Sequence, residues 1–466
     1  MIKYDTHGLK EIPIRHHAQF SQFVIAQEIV RKYIQNNNCI IYGGMAVDFA
    51  LRASGGDHIY DDDELPDYDF FAPDNVKAAH ELVNILSKKI GTQSDGRNFN
   101  IYAARAIYVR TMKVAVGSNN WVADITYIPP ALFEQIPTMT HDGMRYVHPH
   151  FQFNDLHSSL AFPYDAAPRE VVFARWAKDI ARFNKLYAAY PIKTQMNISP
   201  ELVVTNIPRE IVNHTVLQGY AAYGAYYAQI KPYLNDDNSI IDARNISVTA
   251  QGNIAVYTPH AIVDAIMHRN IAKLSWFRSN IDETTIREYG PFLDLIDHSV
   301  HAQMSHKSIM RIYLTIGRYI SYNSISLRAN MHVRVVSIHA LLKFFISSYL
   351  RAEYFDKEHE LAHEYAAYYT SCFAMIAASR AAPAPIRALF DPSVTTFGEP
   401  SPTPSDLLGI YYDFLRASTR DGEQHPFNGT EIISLPRTLQ PDVDTFDYDS
   451  CPFTRISGEE IKRGKL

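Results

Sequence analysis

The stretch ELPDYDFFAPD, residues 64–74, sets Asp67 and Asp69 two positions apart among aromatics and prolines. Residues i and i+2 of a strand share one face, so both carboxylates point one way while Tyr68 and Phe70 point the other. Two like charges that close raise the cost of ionising both. A bound divalent cation reverses the balance, because its own charge dominates the site. A third acid is then expected nearby, and Asp124 in WVADITYI suits the role, with Val122 and Thr126 on its strand face and Ala123, Ile125 and Tyr127 on the other. If the two strands are neighbours, three aspartates converge. Mg²⁺ takes oxygen ligands, keeps several waters and pairs readily with substrate phosphates. Two such ions roughly 3.5–4 Å apart activate an attacking oxygen and steady a leaving one.

Such a set needs rigid elements to hold it. Residues 18–35 carry Phe23, Ala26, Val30 and Tyr33 at helical spacing. CIIY (39–42) reads as a short buried strand, stopped by Gly43-Gly44, and MAVDFALRAS resumes at once with helix formers. A glycine pair lets the backbone come close to a triphosphate, and the helix that follows presents free N–H groups to it. An acidic loop leads into the strand of Asp67 and Asp69. Asp74 then caps a helix with Val76, Ala79, Val83 and Leu86 on one face, which stops near Gly91. RAIYVRTMKVAV and NWVADITYI alternate as strands and end at Pro129-Pro130. The order predicts a small mixed α/β sheet with flanking helices. Taken singly, each feature has a plainer reading: a surface turn, a tight turn, one more satisfied aspartate. Strand, glycine pair and helix, then the paired acids, then a lone acid on a later strand, together describe in-line nucleotidyl transfer.

Residues 170–188 predict a basic helix. From 171 to 194 there are five cations, Arg175, Lys178, Arg182, Lys185 and Lys193, against Asp179 alone. A linker over 190–210 places a boundary near 192, giving a catalytic domain over 1–192 and an α+β C-terminal domain over 193–466. In the latter we expect a tyrosine-rich helix, GYAAYGAYYAQI, which suits base stacking or a core, then strands around 253–258 and 308–323, and helices near 330–350 and 353–380. The tail from about 381 is Pro-rich and is expected to wrap the surface or stay partly disordered.

The chain has 466 residues, 47% hydrophobic and 20% charged, which suits two or three folded domains. A net charge of −6 excludes a basic nucleic-acid coat, so any polyanion must be met by local patches or through cations. Cys39, Cys372 and Cys451 lie too far apart for a disulfide framework or a CxxC zinc site, which favours a reducing compartment. The opening residues hold no apolar signal-like run, and no stretch reaches the roughly 18 apolar residues of a membrane span. A soluble intracellular protein is expected. HELAH, from His359 to His363, fits the H-E-x-x-H pattern of a zinc protease with Glu360 as base. Its neighbourhood offers no good third ligand, since after Glu364 the next glutamate is Glu399.

IIYGGMAVDFAL, PDYDFFAPDNVKAAHELVNIL, RAIYVRTMKVAV, WVADITYIPP and FARWAKDIARFNKL, in that order, resemble the poly(A) polymerase catalytic subunits of large DNA viruses. The likeness is to those of asfarvirus and mimivirus type and, more distantly, to the poxvirus enzyme, within the polymerase-β-like nucleotidyltransferases. It is dense over about 39–190 and looser beyond. The resemblance implies that Asp67 and Asp69 hold both metals and Asp124 the catalytic one, with Mg²⁺ or Mn²⁺ as the ion and ATP as substrate. It implies that Gly43 and Gly44 face the triphosphate, that Lys178 and Arg182 counter phosphate charge, and that the C-terminal domain completes the cleft for base and RNA. Arg311, Arg318, Arg328 and Arg334 are candidate phosphate contacts there. Many relatives outside the viral group have a serine after the glycine, where this chain has Gly44 and then Met45. Triphosphate contacts must then come from backbone N–H groups or other side chains. The function implied is template-independent addition of AMP to RNA 3′ ends. The alternatives are transfer to tRNA or a small molecule, and a non-catalytic RNA-binding subunit. A homodimer or a viral partner subunit, and an address in the host cytoplasm at the viral factory with packaging in the virion, follow from the same likeness.

Overall fold

The computed structural model describes residues 21–61, 64, 66–90, 99–104, 111–116, 120–128, 130–163, 169–194, 216–234, 239–241, 254–258, 283–287, 299–304, 307–314, 319–328 and 331–398. The chain divides by packing into two compact units, which change over between Gln152 and Phe153. This differs from the boundary expected near 192, because the basic helix belongs with the later unit.

The first unit is a seven-stranded mixed sheet with helices against it. Helix α1 (Ser21–Asn36) buries Ala26, Val30, Tyr33 and Ile34. Asn38 ends the turn after it with φ +51°, a left-handed conformation that asparagine tolerates, and strand β1 (Ile40–Tyr42) follows, buried throughout. Then come α2 (Gly43–Ala53), β2 (Tyr68–Ala72) and α3 (Asn75–Ile90). Asp74 Oδ1 accepts the Lys77 backbone N–H at 3.3 Å and so caps α3 as expected. Next are β3 (Phe99–Ala104), β4 (Thr111–Val116), β5 (Asn120–Tyr127), the short α4 (Pro130–Gln135), β6 (Thr138–His141) and β7 (Met144–Val147). Residues 105–110 of the strand expected over RAIYVRTMKVAV lie outside the described residues.

The sheet order is β3-β4-β5-β2-β1-β7-β6, with β2–β5 and β1–β7 parallel and the other pairs antiparallel. Phe70 and Ile125 turn to one face, where Phe70 meets Tyr33 of α1 with ring centroids 6.3 Å apart. The opposite face of β2 carries Asp69 and Phe71. The β6–β7 hairpin turns on Asp142 and Gly143, both at positive φ (+49° and +71°), the backbone that a two-residue hairpin demands.

The division between units falls within α5 (Pro149–Ala161). In the second unit, α6 (Arg169–Ala189) buries Trp176, Ile180 and Phe183. An eight-stranded sheet combines β8 (Val216–Gln218), β9 (Ile254–Thr258), β10 (Glu283–Arg287), β11 (Ser299–Met304), β12 (Lys307–Leu314), β13 (Tyr319–Arg328), β14 (Met331–Val336) and β15 (Thr396–Gly398). The helix Gly219–Ile230 buries Tyr220, Tyr223, Tyr226 and Tyr227. The Tyr223 hydroxyl donates to the Ile241 carbonyl at 3.0 Å and that of Tyr226 to Val336 at 2.8 Å. These tyrosines are core, and the stacking alternative falls away.

Three expectations shift. The helix expected over 330–350 begins only at Ile338, because Val333, Val335 and Val336 are β-branched and pair with β13. Ser337 caps that helix, accepting the Ala340 N–H at 3.1 Å. The helix expected over 353–380 spans His359–Ala378, set off from a π turn at Arg351–Asp356 by Lys357 at φ +59°. Within the expected tail, residues 381–398 are described and include β15, which pairs antiparallel with β13. Residues 399–466 lie outside the described residues.

In this unit His157 is fully buried, its Nε2 2.6 Å from the Tyr369 hydroxyl, with rings of Phe183 and Phe373 around it. Burial, with the Lys343 charge adding, pushes its pKa down to about 3. The unfolded imidazole titrates near 6.5, so protons favour the unfolded chain, and stability present above that pH drains away as pH falls from 6.5 towards 3. By pH 5 the loss from this group is on the order of 2 kcal/mol. Urea unfolding at pH 7.5 and pH 5 should show a steeper acid loss in wild type than in His157→Phe. Equal losses would mean that His157 takes no part.

Candidate active site

Strand register, rather than any loop, brings the acids together. In the parallel β2–β5 pair Asp69 stands opposite Asp124, and on its other side Asp69 stands opposite Tyr42, the last residue of β1. Asp67, two residues before Asp69, lies on the same side. Asp67, Asp69 and Asp124 each offer a carboxylate oxygen within 4.8 Å of the others. Among the described residues this is the one group of three metal-ligating side chains that the fold assembles.

Asp124 is the most enclosed of the three, buried while Asp67 and Asp69 are half-exposed. Two residues on, on the same strand face, Thr126 is fully buried. Its hydroxyl lies 2.8 Å from the Tyr42 hydroxyl and 2.7 Å from that of Thr111. This chain of hydroxyls ties β1, β4 and β5 together below the acids, and so fixes the spacing of the strands that carry them.

Gly43 follows Tyr42 and opens α2 with φ +68°, where side chains are disfavoured. A Cβ there would fall 2.3 Å from Asp69 Oδ2. The glycine is therefore demanded twice, by backbone conformation and by the closeness of the acid. Gly44 is buried in the first turn of α2, and Tyr42 before it makes no side-chain cap bond to that turn; the first N–H groups of a helix have no intrahelical partners.

Two participants escaped the sequence reading. Lys113 of β4 stands opposite Asp124 in the antiparallel β4–β5 register, and its Nζ donates a hydrogen bond to Asp124 Oδ2. Burial alone would lower the Lys113 pKa, but the charge and hydrogen bond of Asp124 outweigh it, with Asp67 and Asp69 adding, and the pKa is raised. The signal available was a lysine at a strand position that alternation would place on the acid face. The second participant is Asp48 in α2, whose buried carboxylate accepts from Arg52 Nε at 2.6 Å and from the backbone N–H groups of Ile59 and Tyr60 at 2.8 and 3.2 Å. Arg52 Nη2 also donates to the Tyr60 carbonyl at 2.8 Å. The pair pins the loop after α2 a few residues ahead of Asp67. Its signal was an Asp and an Arg four apart on one helix face.

Lys178 and Arg182 lie on α6, in the other unit. Lys178 Nζ is 3.9 Å from Asp179 Oδ1, and Arg175 Nε is 3.9 Å from Asp179 Oδ2. Asp179 also accepts from Ser159. Of the arginines named above, Arg334 is half-exposed on β14, whereas Arg318 and the side chains of Arg311 and Arg328 lie outside the described residues. His359 and His363 are exposed on their helix, and His359 Nδ1 pairs with Glu353 Oε2 at 2.9 Å, an ordinary polar face.

Comparison with known proteins bears on this site directly. The family described as "Poly(A) polymerase catalytic subunit" matches residues 28–166, which include all three acids and the glycine turn. A protein of African swine fever virus (isolate Tick/Malawi/Lil 20-1/1983), named for the poly(A) polymerase catalytic subunit, is 39% identical over 203 residues, 43% of this chain and 40% of that protein. One of Acanthamoeba polyphaga mimivirus, named in the same way, is 25% identical over 309 residues, 61% of this chain and 50% of its own. The chain thus spans half or less of the length of these relatives. The crystal structure of the Megavirus polyadenylate synthase superposes with a TM-score of 0.56 at 19% identity, over 86% of this chain and 78% of that one, a likeness of fold. The resemblance read from the motifs therefore holds: over residues 28–166 this chain matches the family of poly(A) polymerase catalytic subunits, and its relatives there are those of large DNA viruses.

Proposed function

We propose that this protein extends RNA 3′ ends with AMP from ATP, without a template. The observation that carries the reading is the convergence of Asp67, Asp69 and Asp124 to within 4.8 Å, on neighbouring strands beside the turn at Gly43. Three carboxylates and no histidine or thiolate form an all-oxygen donor set, which suits Mg²⁺ or Mn²⁺ rather than zinc. Asp67 and Asp69 would hold two such ions and Asp124 one of them. When bound, they would ease ionisation of the attacking hydroxyl and neutralise charge on the departing phosphates.

In the reaction, the RNA 3′ oxygen bonds to the α-phosphorus of ATP, its proton is released, and the bond from that phosphorus to the bridging oxygen breaks to free pyrophosphate. The protein's part is positioning and charge. β2 and β5 hold the acids on a rigid face, so that little reorganisation is needed as the reaction proceeds. Gly43 and Gly44 let the triphosphate approach the backbone, and the N–H groups of the first turn of α2 receive it. Met45 supplies no hydroxyl, which leaves that task to the backbone. Lys178 and Arg182 are assigned to phosphate charge, and the C-terminal unit to the base and the RNA. A homodimer or a viral partner subunit, and work in the host cytoplasm with packaging in the virion, complete the proposal.

The test is extension of a labelled RNA primer with each nucleotide in turn, in Mg²⁺ or Mn²⁺. A ladder of products with ATP is expected. A single added nucleotide would favour transfer to tRNA or a small acceptor, and no product with any of the four would favour a non-catalytic RNA-binding subunit.

A further inference from the structure

Among the described residues, Lys113 is the cation that strand pairing places directly against the acids. It stands opposite Asp124 in the β4–β5 register, and its ammonium holds one of the carboxylate oxygens that a divalent ion would need. Both partners are largely shielded, with side chains 25% and 11% exposed, so water screens the pair weakly. The same ammonium lies 5.1 Å from the centre of the Trp121 ring, so the ring face and Asp124 hold it together.

We propose that Lys113 is the internal counter-ion of the carboxylate site: it keeps Asp67, Asp69 and Asp124 together when no divalent ion is bound, and it must yield Asp124 for one to bind. This rests on the reading of the three acids as a cation site. Two consequences follow from charge alone. Without an ion, removing the ammonium takes away a positive charge set against three neighbouring carboxylates, so their mutual repulsion grows and the ion-free protein is weakened. With an ion, the ammonium is a like charge within the same shell, so the site binds less tightly than bare acids would. Lys113 thus trades ion affinity for order in the ion-free state, and the Trp121 ring remains beside the ammonium when it yields Asp124.

The experiment is Mn²⁺ titration followed by the electron paramagnetic resonance signal of free Mn²⁺, together with thermal melting in chelator and in Mn²⁺. It uses the full chain as wild type, Lys113→Met and Lys113→Arg. Lys113→Met keeps the length of the side chain and removes its charge. It is expected to bind Mn²⁺ on the order of tenfold tighter, within the range usual for coupling between adjacent sites. It should also melt lower in chelator and gain more from Mn²⁺ than wild type does. Lys113→Arg keeps the charge and should bind like wild type, so it also serves if the methionine variant fails to fold; tenfold tighter binding by it would overturn the proposal. Equal or weaker Mn²⁺ binding by Lys113→Met, with wild type binding normally, would overturn it too. Absence of Mn²⁺ binding in wild type would instead remove the cation-site reading, and the proposal with it. In the doubly substituted Lys113→Met, Asp124→Asn chain the gain should vanish, because the ammonium acts through that carboxylate.

Discussion

Asp69→Asn is expected to lower AMP addition to an RNA primer by about 10³-fold while leaving the fold intact. Asp69 stands in register with Tyr42 on one side and Asp124 on the other, so neighbouring strands on both sides hold its place. Asparagine keeps its shape and removes its charge. A divalent ion in such a site supplies several kcal/mol of charge stabilisation. Losing about 4 kcal/mol of that corresponds to about 10³ in rate. Stability should move the other way or not at all, because three like charges become two. Steady-state rates and thermal melts, each with and without Mn²⁺, separate the two effects. Activity within tenfold of wild type would mean that the three acids are not the reactive centre.

Gly43→Ala should damage both rate and stability, for reasons that a second glycine separates. At Gly43 the new Cβ would fall 2.3 Å from Asp69 Oδ2, 3.0 Å from its Cγ and 3.1 Å from its Cβ, on a backbone with φ +68°. Left-handed backbone disfavours alanine by roughly 1–2 kcal/mol, and the clash must push Asp69 off its place. A displacement of that order in a catalytic group costs about 10² in rate. Gly55 has nearly the same backbone, φ +70°, and open space where a Cβ would stand. Gly55→Ala should therefore lose stability by about 1 kcal/mol and keep its activity. Unfolding midpoints and primer extension on the two variants decide the matter: equal activity in both would mean that closeness to Asp69 is irrelevant.

Much of the site could be read from one dimension because its signals are local. Period-two alternation puts Asp67 and Asp69 on one face and Asp124 with Thr126 on another, whatever the rest of the chain does. A glycine pair between an apolar strand and a helix former implies a tight turn. The hairpin at Asp142-Gly143 carries an equally local signal, an Asp-Gly pair between two short strands. Misplaced elements came where local preference was ambiguous. MHVRVV is β-branched but abuts a strong helix, and its state is settled by pairing with β13. The tyrosines of Gly219–Ile230 look alike whether they stack on bases or fill a core, and only burial distinguishes the two.

The sequence by itself determined that three acids, a glycine turn and their supporting strands exist, and in what order, since backbone geometry and side-chain alternation are properties of neighbouring residues. Tertiary structure alone decided that β5 lies beside β2 and β4 beside β5, and so that Asp124 faces Asp69 and Lys113 faces Asp124. Strand neighbours are chosen by the packing of a whole sheet against its helices. No window of the chain contains that choice, which is why an ammonium eleven residues from Asp124 could go unnoticed in the sequence and yet be its hydrogen-bond partner in the fold.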